Sequence, residues 1–472
     1  MSLKIFVRDC AGFFRRMVGR GSVLGKKMAS FNARNPYMSQ IISLGVLAIF
    51  VITSAYIHFW AAPRSTGVDP AQFLSFAKVF QQHGLDFYRY ADAYNSNFPA
   101  YGWGFVYPPV WLLLLRIALF TAPNSFGDTH TVDTSWRLAE KTPIIAADLM
   151  IGVLLYWAIP GSKWKKLFFS FLWLFHPTAW YNSAVFGQFD AIAALLLLAA
   201  VILMEKGFDR WAFGIAALSV LTKQHVFIPV LFIAAAGIQR LGRRRFLQDV
   251  GIFTGVVAVF SIPFVVTGNI IPYMKAVLLP GQTPEYQTPL MYTFSGGGAV
   301  FTYLNEAFGW NTLGVFKYFI PVLIIGTLVL LYFTYKKQLS PTRAALVGFL
   351  AFLVLNYRVN YQYLVIFIPL ALLAAAYSRF KFERVFTVFM ALVPAVWLWL
   401  FNLAFWFYYV KPEHLEVLPL MDRLGFFHMN IPDYAYVILA VGLMALFIVY
   451  IAMVFSRWGN PKFKELRPPQ AT

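Results

Sequence analysis

The residues of this sequence that could do chemistry are few, and they recur at the edges of long apolar runs. They are Asp69, Asp86, Asp92, Glu140, Lys141, Asp148, Gln188, Asp190, Lys223, Gln224, His225, Arg358, Asn360 and Gln362. A carboxylate within hydrogen-bond reach of a hydroxyl can take its proton. Lysine and arginine held opposite would stabilise negative charge growing on a departing phosphate, and such preorganised charge is usually the largest catalytic term. Low dielectric at a membrane edge strengthens it. A carboxylate base, cations and aromatic walls are the parts needed to work on a lipid-linked phosphate that carries a sugar.

The densest stretch lies between Gly67 and Pro109. Asp69-Pro70 opens a helix well, with an acidic N-cap and proline at the first helical position. Phe73, Phe76, Ala77 and Phe80 share one face, while Gln72, Ser75, Lys78, Gln81 and Gln82 lie elsewhere. That is the pattern of a short helix in a membrane interface. Asp86, Arg89 and Asp92 follow, then Tyr94, Tyr101, Trp103 and Tyr107, and a second helix start at Tyr107-Pro108-Pro109.

Each of these residues also has an ordinary structural reading. Asp69 serves as a helix cap as readily as a base, and one carboxylate can do both. Asp190 opens an apolar segment, where an acid is common. Asp148 lies inside one; intramembrane acids are functional by default, yet a pairing with Lys141 or a neighbouring helix would satisfy it. Lys223-Gln224-His225 interrupts an apolar run from 211 to 239, and a bare turn needs no lysine there. Arg358 sits in a short outer loop without a nearby acid in sequence, which favours phosphate binding. The tyrosines and Trp103 suit an aromatic belt as well as sugar stacking. Lys275, Glu285 and the turn Ser295-Gly296-Gly297-Gly298 make 268–312 a candidate lid.

The elements that must position these residues follow from composition. The chain has 472 residues, of which 60% are hydrophobic and 12% charged. With about 20 apolar residues needed per crossing, this is an all-α polytopic membrane protein in one integral-membrane domain. The net charge of +19 does not point to nucleic acid, because the cations sit in short loops as the positive-inside rule requires. The single cysteine, Cys10, excludes an internal disulfide framework. Twelve spans are expected, at about 38–61, 142–160, 167–185, 190–204, 211–222, 226–239, 248–267, 315–334, 344–356, 362–377, 385–408 and 434–455. The basic N-terminus 1–37 and the tail 456–472 are then cytoplasmic, and 63–141 and 268–312 are outer loops. Segment 108–122 reads as an interfacial or re-entrant helix, since a crossing there would put Lys163, Lys165 and Lys166 outside. With this topology 27 of the 39 Lys and Arg lie inside. The 12 left outside need a reason to be there.

The ordered set resembles the glycosyltransferase C (GT-C) superfamily of integral-membrane enzymes. It is especially similar to the dolichyl-phosphate-glucose-dependent transferases of the asparagine-linked pathway and their prokaryotic relatives. GVDPAQFLSFAKVF is similar to the family's G-D-x-E-A-Q pattern at Gly67, Asp69, Ala71 and Gln72, and Tyr107-Pro108-Pro109 to its YPP. FGQFD at 186–190 lies where the family carries an HFQYN-like motif, and Lys223-Gln224 matches a K-Q pair. The Arg358–Gln362 segment lies where it carries a His-Glu-Lys stretch, which is not retained. Val106 replaces the aspartate before YPP in the endoplasmic-reticulum enzymes, and Asp190 replaces an asparagine.

The resemblance implies a GT-C fold and inverting transfer of a hexose, of the mannose or glucose class, on the extracytoplasmic face of what reads as a prokaryotic plasma membrane. The donor is a polyprenyl-phosphate sugar, and the acceptor a lipid-linked or other cell-surface glycan. Asp69 is the implied base. Lys223, Arg358 and His225 are read as donor-phosphate contacts, and Gln188, Asp190, Gln224, Asp92, Tyr107 and Gln362 as sugar or acceptor contacts. No metal and no cofactor is expected, and membrane lipids are the remaining partner. A carrier or flippase for a lipid-linked or anionic solute is the alternative, and it would depend more on Asp148.

Overall fold

Apolar runs punctuated by Pro, Gly and charged pairs become helices separated by short turns. The computed structural model describes residues 36–90, 104–127, 131–278, 294–295, 297–356, 359–398, 404–429 and 432–456. Asp92, Tyr94, Tyr101, Trp103, Glu285, Gly296 and Arg358 lie outside the described residues. In chain order the principal helices are α1 (Pro36–Ala61), α2 (Val68–His83), α3 (Pro109–Thr121), α4 (Thr134–Ala158), α5 (Lys163–Leu174) and α6 (Asp190–Glu205). Next come α7 (Asp209–Thr222), α8 (Phe227–Leu241), α9 (Arg243–Phe264), α10 (Ile270–Leu278), α11 (Gly297–Phe308) and α12 (Phe319–Lys337). The last five are α13 (Pro341–Leu355), α14 (Leu364–Tyr377), α15 (Lys381–Leu398), α16 (Leu418–Met429) and α17 (Asp433–Phe455). Side-chain caps start several of them: Asp133 on α4, Ser162 on α5, and Ser340 followed by Pro341 on α13.

Four helical segments among the described residues are long and apolar enough to cross a membrane: Tyr37–Arg64, Arg243–Thr267, Gly314–Lys337 and Tyr434–Phe455. They lie at the periphery, with most of their side chains uncovered by protein. That is the distribution expected of helices whose solvent is lipid. In contrast, α13 and α14 are buried almost throughout, enclosed by α6, α8 and α15. At 1.5 Å per residue their 15 and 14 residues reach about 22 Å, short of the roughly 30 Å hydrocarbon layer. Segment 108–122 forms α3, a 13-residue helix packed on α2 and α7.

The helices alternate in direction, so their polar ends collect in two places. One end holds Asp69, Tyr107, Glu140, Lys141, Gln188, Asp190, Lys223 and the 359–363 turn. The other holds buried or half-buried ion pairs, Arg343–Glu383 at 2.6 Å and Arg240–Asp209, with Glu205 accepting from the Thr342 hydroxyl at 2.6 Å. The 16 residues of α6 separate Asp190 at one end from Glu205 at the other by about 23 Å. A two-residue antiparallel pairing, Phe294 with Asn360 and Ser295 with Val359, fastens part of the 268–312 region to the first of these ends.

Candidate functional site

Asp69 is held from several directions at the start of α2. The helix begins at Val68 with Gly67 as its N-cap residue, so Asp69 stands in the first turn rather than at the cap. The Trp136 indole donates to the Pro70 carbonyl at 2.9 Å. Lys141 donates to the carbonyls of Ala62, Ser65 and Val185 and to the Ser65 hydroxyl, at 2.8–3.2 Å. On the other side the Thr66 amide donates to the Trp406 carbonyl at 2.9 Å, and the Trp406 ring lies so close over Gly67 that no Cβ fits there. The ring also meets Phe186 edge-on at 4.3 Å. On α2 itself Phe73, Phe76 and Ala77 are buried as their shared face predicts, Phe80 is half-buried, and Gln72 is buried with them.

The FGQFD stretch closes the opposite wall. Residues Tyr181–Phe186 form a π-helical turn, a distortion frequent at functional sites. Gly187 ends it with φ +70, and a Cβ there would lie 2.8 Å from Glu140 Oε1. The Gln188 amide donates to the Asn182 carbonyl at 3.1 Å, and the Gln188 side chain hydrogen-bonds Asp69. Asp190 then opens α6 and pairs with Lys223 at the end of α7. The Lys223 ammonium lies 4.6 Å from the Phe189 ring centroid, and 5.7 Å from those of Tyr107 and Tyr363. Phe189 stacks on Trp111 at 4.4 Å, so α3 backs this aromatic enclosure.

Asp69 keeps some accessible surface although protein surrounds it. Burial pushes its carboxyl up to about 6, against the pull of the Gln188 hydrogen bond and the Lys223 charge, with Asp190 adding to the rise. A carboxyl poised near 6 is largely ionised at neutral pH yet still basic enough to take a proton, which is the balance a general base needs. Gln188 Oε1, Asp190 Oδ1, Gln224 Oε1, both oxygens of Glu140, and His225 Nε2 are buried without hydrogen-bond partners among the described residues.

Asp69, Gln188, Asp190, Lys223 and Tyr107 therefore lie together in the structure. Gln224 spends its amide on the Val106 carbonyl at 2.8 Å and so tethers the loop before Pro108. His225 lies flat against Phe352, ring centroids 5.1 Å apart, and beside Tyr363 at 4.4 Å. Gln362 is buried in the turn Tyr361–Tyr363. Sequence reasoning passed over Phe189, Tyr361, Tyr363 and Trp406. Tyr361 stacks on Phe186 at 4.4 Å and lies in electrostatic range of Asp69 and Asp190. The signal was present in the alternation Tyr361-Gln362-Tyr363 beside a polar turn.

Asp148 is bound up elsewhere. Its Oδ2 meets His58 Nε2 at 2.9 Å and accepts from the Ser183 hydroxyl at 2.8 Å, while His58 Nδ1 faces the Ser54 carbonyl at 2.7 Å. The neighbouring-helix reading of Asp148 thus describes what is seen.

Metal-ligand clusters of three or more His, Cys, Asp or Glu are absent among the described residues. Compared with protein-family models, the chain matches none, and no curated protein matches it either.

Proposed function

We propose that the protein is an inverting glycosyltransferase of GT-C type, with about twelve spans, working at the extracytoplasmic face. It moves a hexose from a polyprenyl-phosphate donor to a hydroxyl of a lipid-linked or cell-surface glycan. The observation that carries this reading is the union, around Asp69, of a poised carboxyl, a buried Lys223–Asp190 pair and aromatic walls drawn from three separated stretches. Asp69 takes the proton of the acceptor hydroxyl, whose oxygen attacks the anomeric carbon from the side opposite the phosphate. The carbon–oxygen bond to phosphate breaks with its electron pair on the leaving polyprenyl phosphate, and the configuration inverts. Lys223 supplies positive potential and fixes Asp190; Arg358, adjacent in sequence to Val359, is the phosphate contact on sequence grounds. Two membrane-held substrates brought to one point gain much of their rate from positioning alone.

A carrier would draw on Asp148, and that carboxylate is taken up by His58 and Ser183. The direct test incubates membranes containing the protein with labelled polyprenyl-phosphate mannose and polyprenyl-phosphate glucose. Label appearing in lipid-linked or surface glycan supports the reading. Label that only changes sides of the membrane, still on its original lipid, supports the carrier.

A further inference from the structure

Glu140 has no role in the site as described above, yet it is one of its most unusual members. It is fully buried near the start of α4, and neither carboxyl oxygen has a hydrogen-bond partner among the described residues. Burying such a group unpaired is costly unless something completes it. Its neighbour in sequence does not: Lys141 places its donors on three carbonyls and the Ser65 hydroxyl. The Glu140 carboxyl instead packs against Gly187, where an added Cβ would meet Oε1 at 2.8 Å and Oε2 at 3.0 Å. Gly187 directly precedes Gln188, which binds Asp69, and Asp69 lies within electrostatic range of Glu140.

Most of the unspent groups around Asp69 are acceptors, with Thr66 Oγ1, Asn182 Nδ2 and Trp111 Nε1 beside them able to donate. Glu140 Oε1 and Oε2, Gln188 Oε1 and Asp190 Oδ1 are oxygens, and each can accept a hydrogen bond. A phosphate, itself all acceptors, does not complete such a set. A ligand rich in hydroxyl donors does. We propose that Glu140 is a specificity-determining residue of the Asp69 site, its two oxygens taking neighbouring hydroxyl groups of a sugar ring. Gln188 and Asp190 accept further hydroxyls of the same ring, and the phosphate lies on the other side of the anomeric carbon. This rests on the sugar-transfer reading above and adds to it a residue and the part of the substrate it holds. Donor sugar and acceptor sugar offer the same chemistry, so the experiment has an arm for each.

The test uses the full-length protein in lipid nanodiscs, as wild type, Glu140→Gln and Glu140→Ala. Equilibrium binding is measured for polyprenyl-phosphate mannose, polyprenyl-phosphate glucose and their single-deoxy analogues, and for a methyl hexoside series as the acceptor-side probe. Leaving a buried Glu140 oxygen unsatisfied makes loss of the contacted hydroxyl cost the wild type about tenfold to a hundredfold in affinity. In Glu140→Ala the same deletion should cost less than about threefold, with Glu140→Gln between, since it keeps one acceptor and the shape. Flattened discrimination in the donor series assigns Glu140 to the donor sugar, and in the hexoside series to the acceptor sugar. If both variants fold, by thermal unfolding, and keep the wild-type discrimination in both series, the proposal is overturned while sugar transfer stands. Wild type that binds none of the probes overturns both.

Discussion

At the residue scale, Asp69 is held in a state that folding alone would not choose. Its carboxyl moves from an ordinary value of 3.8 to about 6 because burial penalises the charge. The folded chain thus holds this proton more tightly than the unfolded chain. Its contribution to stability is full below pH 3.8 and is lost as pH rises through about 6. Asp69→Asn should therefore raise stability by roughly 2–3 kcal/mol at neutral pH and leave it unchanged near pH 4, as thermal unfolding at both pH values would read. Activity runs the other way. Transfer by the wild type should climb with pH and level off above about 6, as the base becomes ionised. Opposite signs of the two effects are the mark of a site that trades stability for function.

The Lys223–Asp190 pair makes a second prediction at this scale. Lys223→Ala leaves a buried carboxylate without its partner and should cost about 3–5 kcal/mol. Lys223→Ala combined with Asp190→Asn should recover much of that loss in thermal unfolding, though not the activity. An equal loss in both variants would show that packing, not charge, is what Lys223 supplies.

At the scale of elements, the site depends on chain reversals more than on helices. Gly187 carries two demands: a left-handed backbone, and no side chain against Glu140. Gly207 shares only the first, with φ +84 and open space around it. Gly207→Ala should then cost about 1–2 kcal/mol from backbone strain alone, and Gly187→Ala clearly more, with transfer lost as Gln188 is displaced from Asp69. Paired thermal and activity measurements on the two variants separate these terms. Similar losses in both would remove Gly187 from the account.

This is also where sequence reading meets its limit. Proline and acid at 69–70, the Tyr107-Pro108-Pro109 start and the polar break at 223–225 each mark a helix end from local chemistry, so those positions were legible. Asp69 was less so: its type and neighbourhood fit a cap, and only the Gln188 bond shows its carboxylate turned to the opposite wall. Trp406 over Gly67 was invisible, because a contact across more than 300 residues leaves no periodicity. The enclosure of α13 and α14 by other helices was not legible either, since a helix enclosed by protein and one enclosed by lipid have the same composition.

For the whole molecule, four peripheral helices present apolar surface outward while polar side chains gather at two ends. Cations assigned to the outer side by charge bookkeeping have employment there. Arg64 pairs with Glu416 at 2.8 Å, Arg137 with Glu413, and Lys223 with Asp190, while Lys141 ties the 62–65 turn. If the Asp69 end faces outward, the positive-inside rule is met by the opposite end, where Lys163, Lys206 and Arg240 lie. Single cysteines test this in a Cys10→Ser background. A membrane-impermeant maleimide on intact cells should label Lys78→Cys, which is exposed, and should label the equally exposed Lys206→Cys only after permeabilisation. The reverse pattern would turn the protein over and place the site in the cytosol.

The most direct measurement compares wild type and Asp69→Asn, purified and reconstituted, for binding and for transfer of a labelled polyprenyl-phosphate hexose. The account predicts equal donor binding, transfer by the wild type with inverted anomeric configuration, and a loss of about a hundredfold to ten-thousandfold in the variant. Transfer by Asp69→Asn at the wild-type rate, or retained configuration in the product, would contradict it.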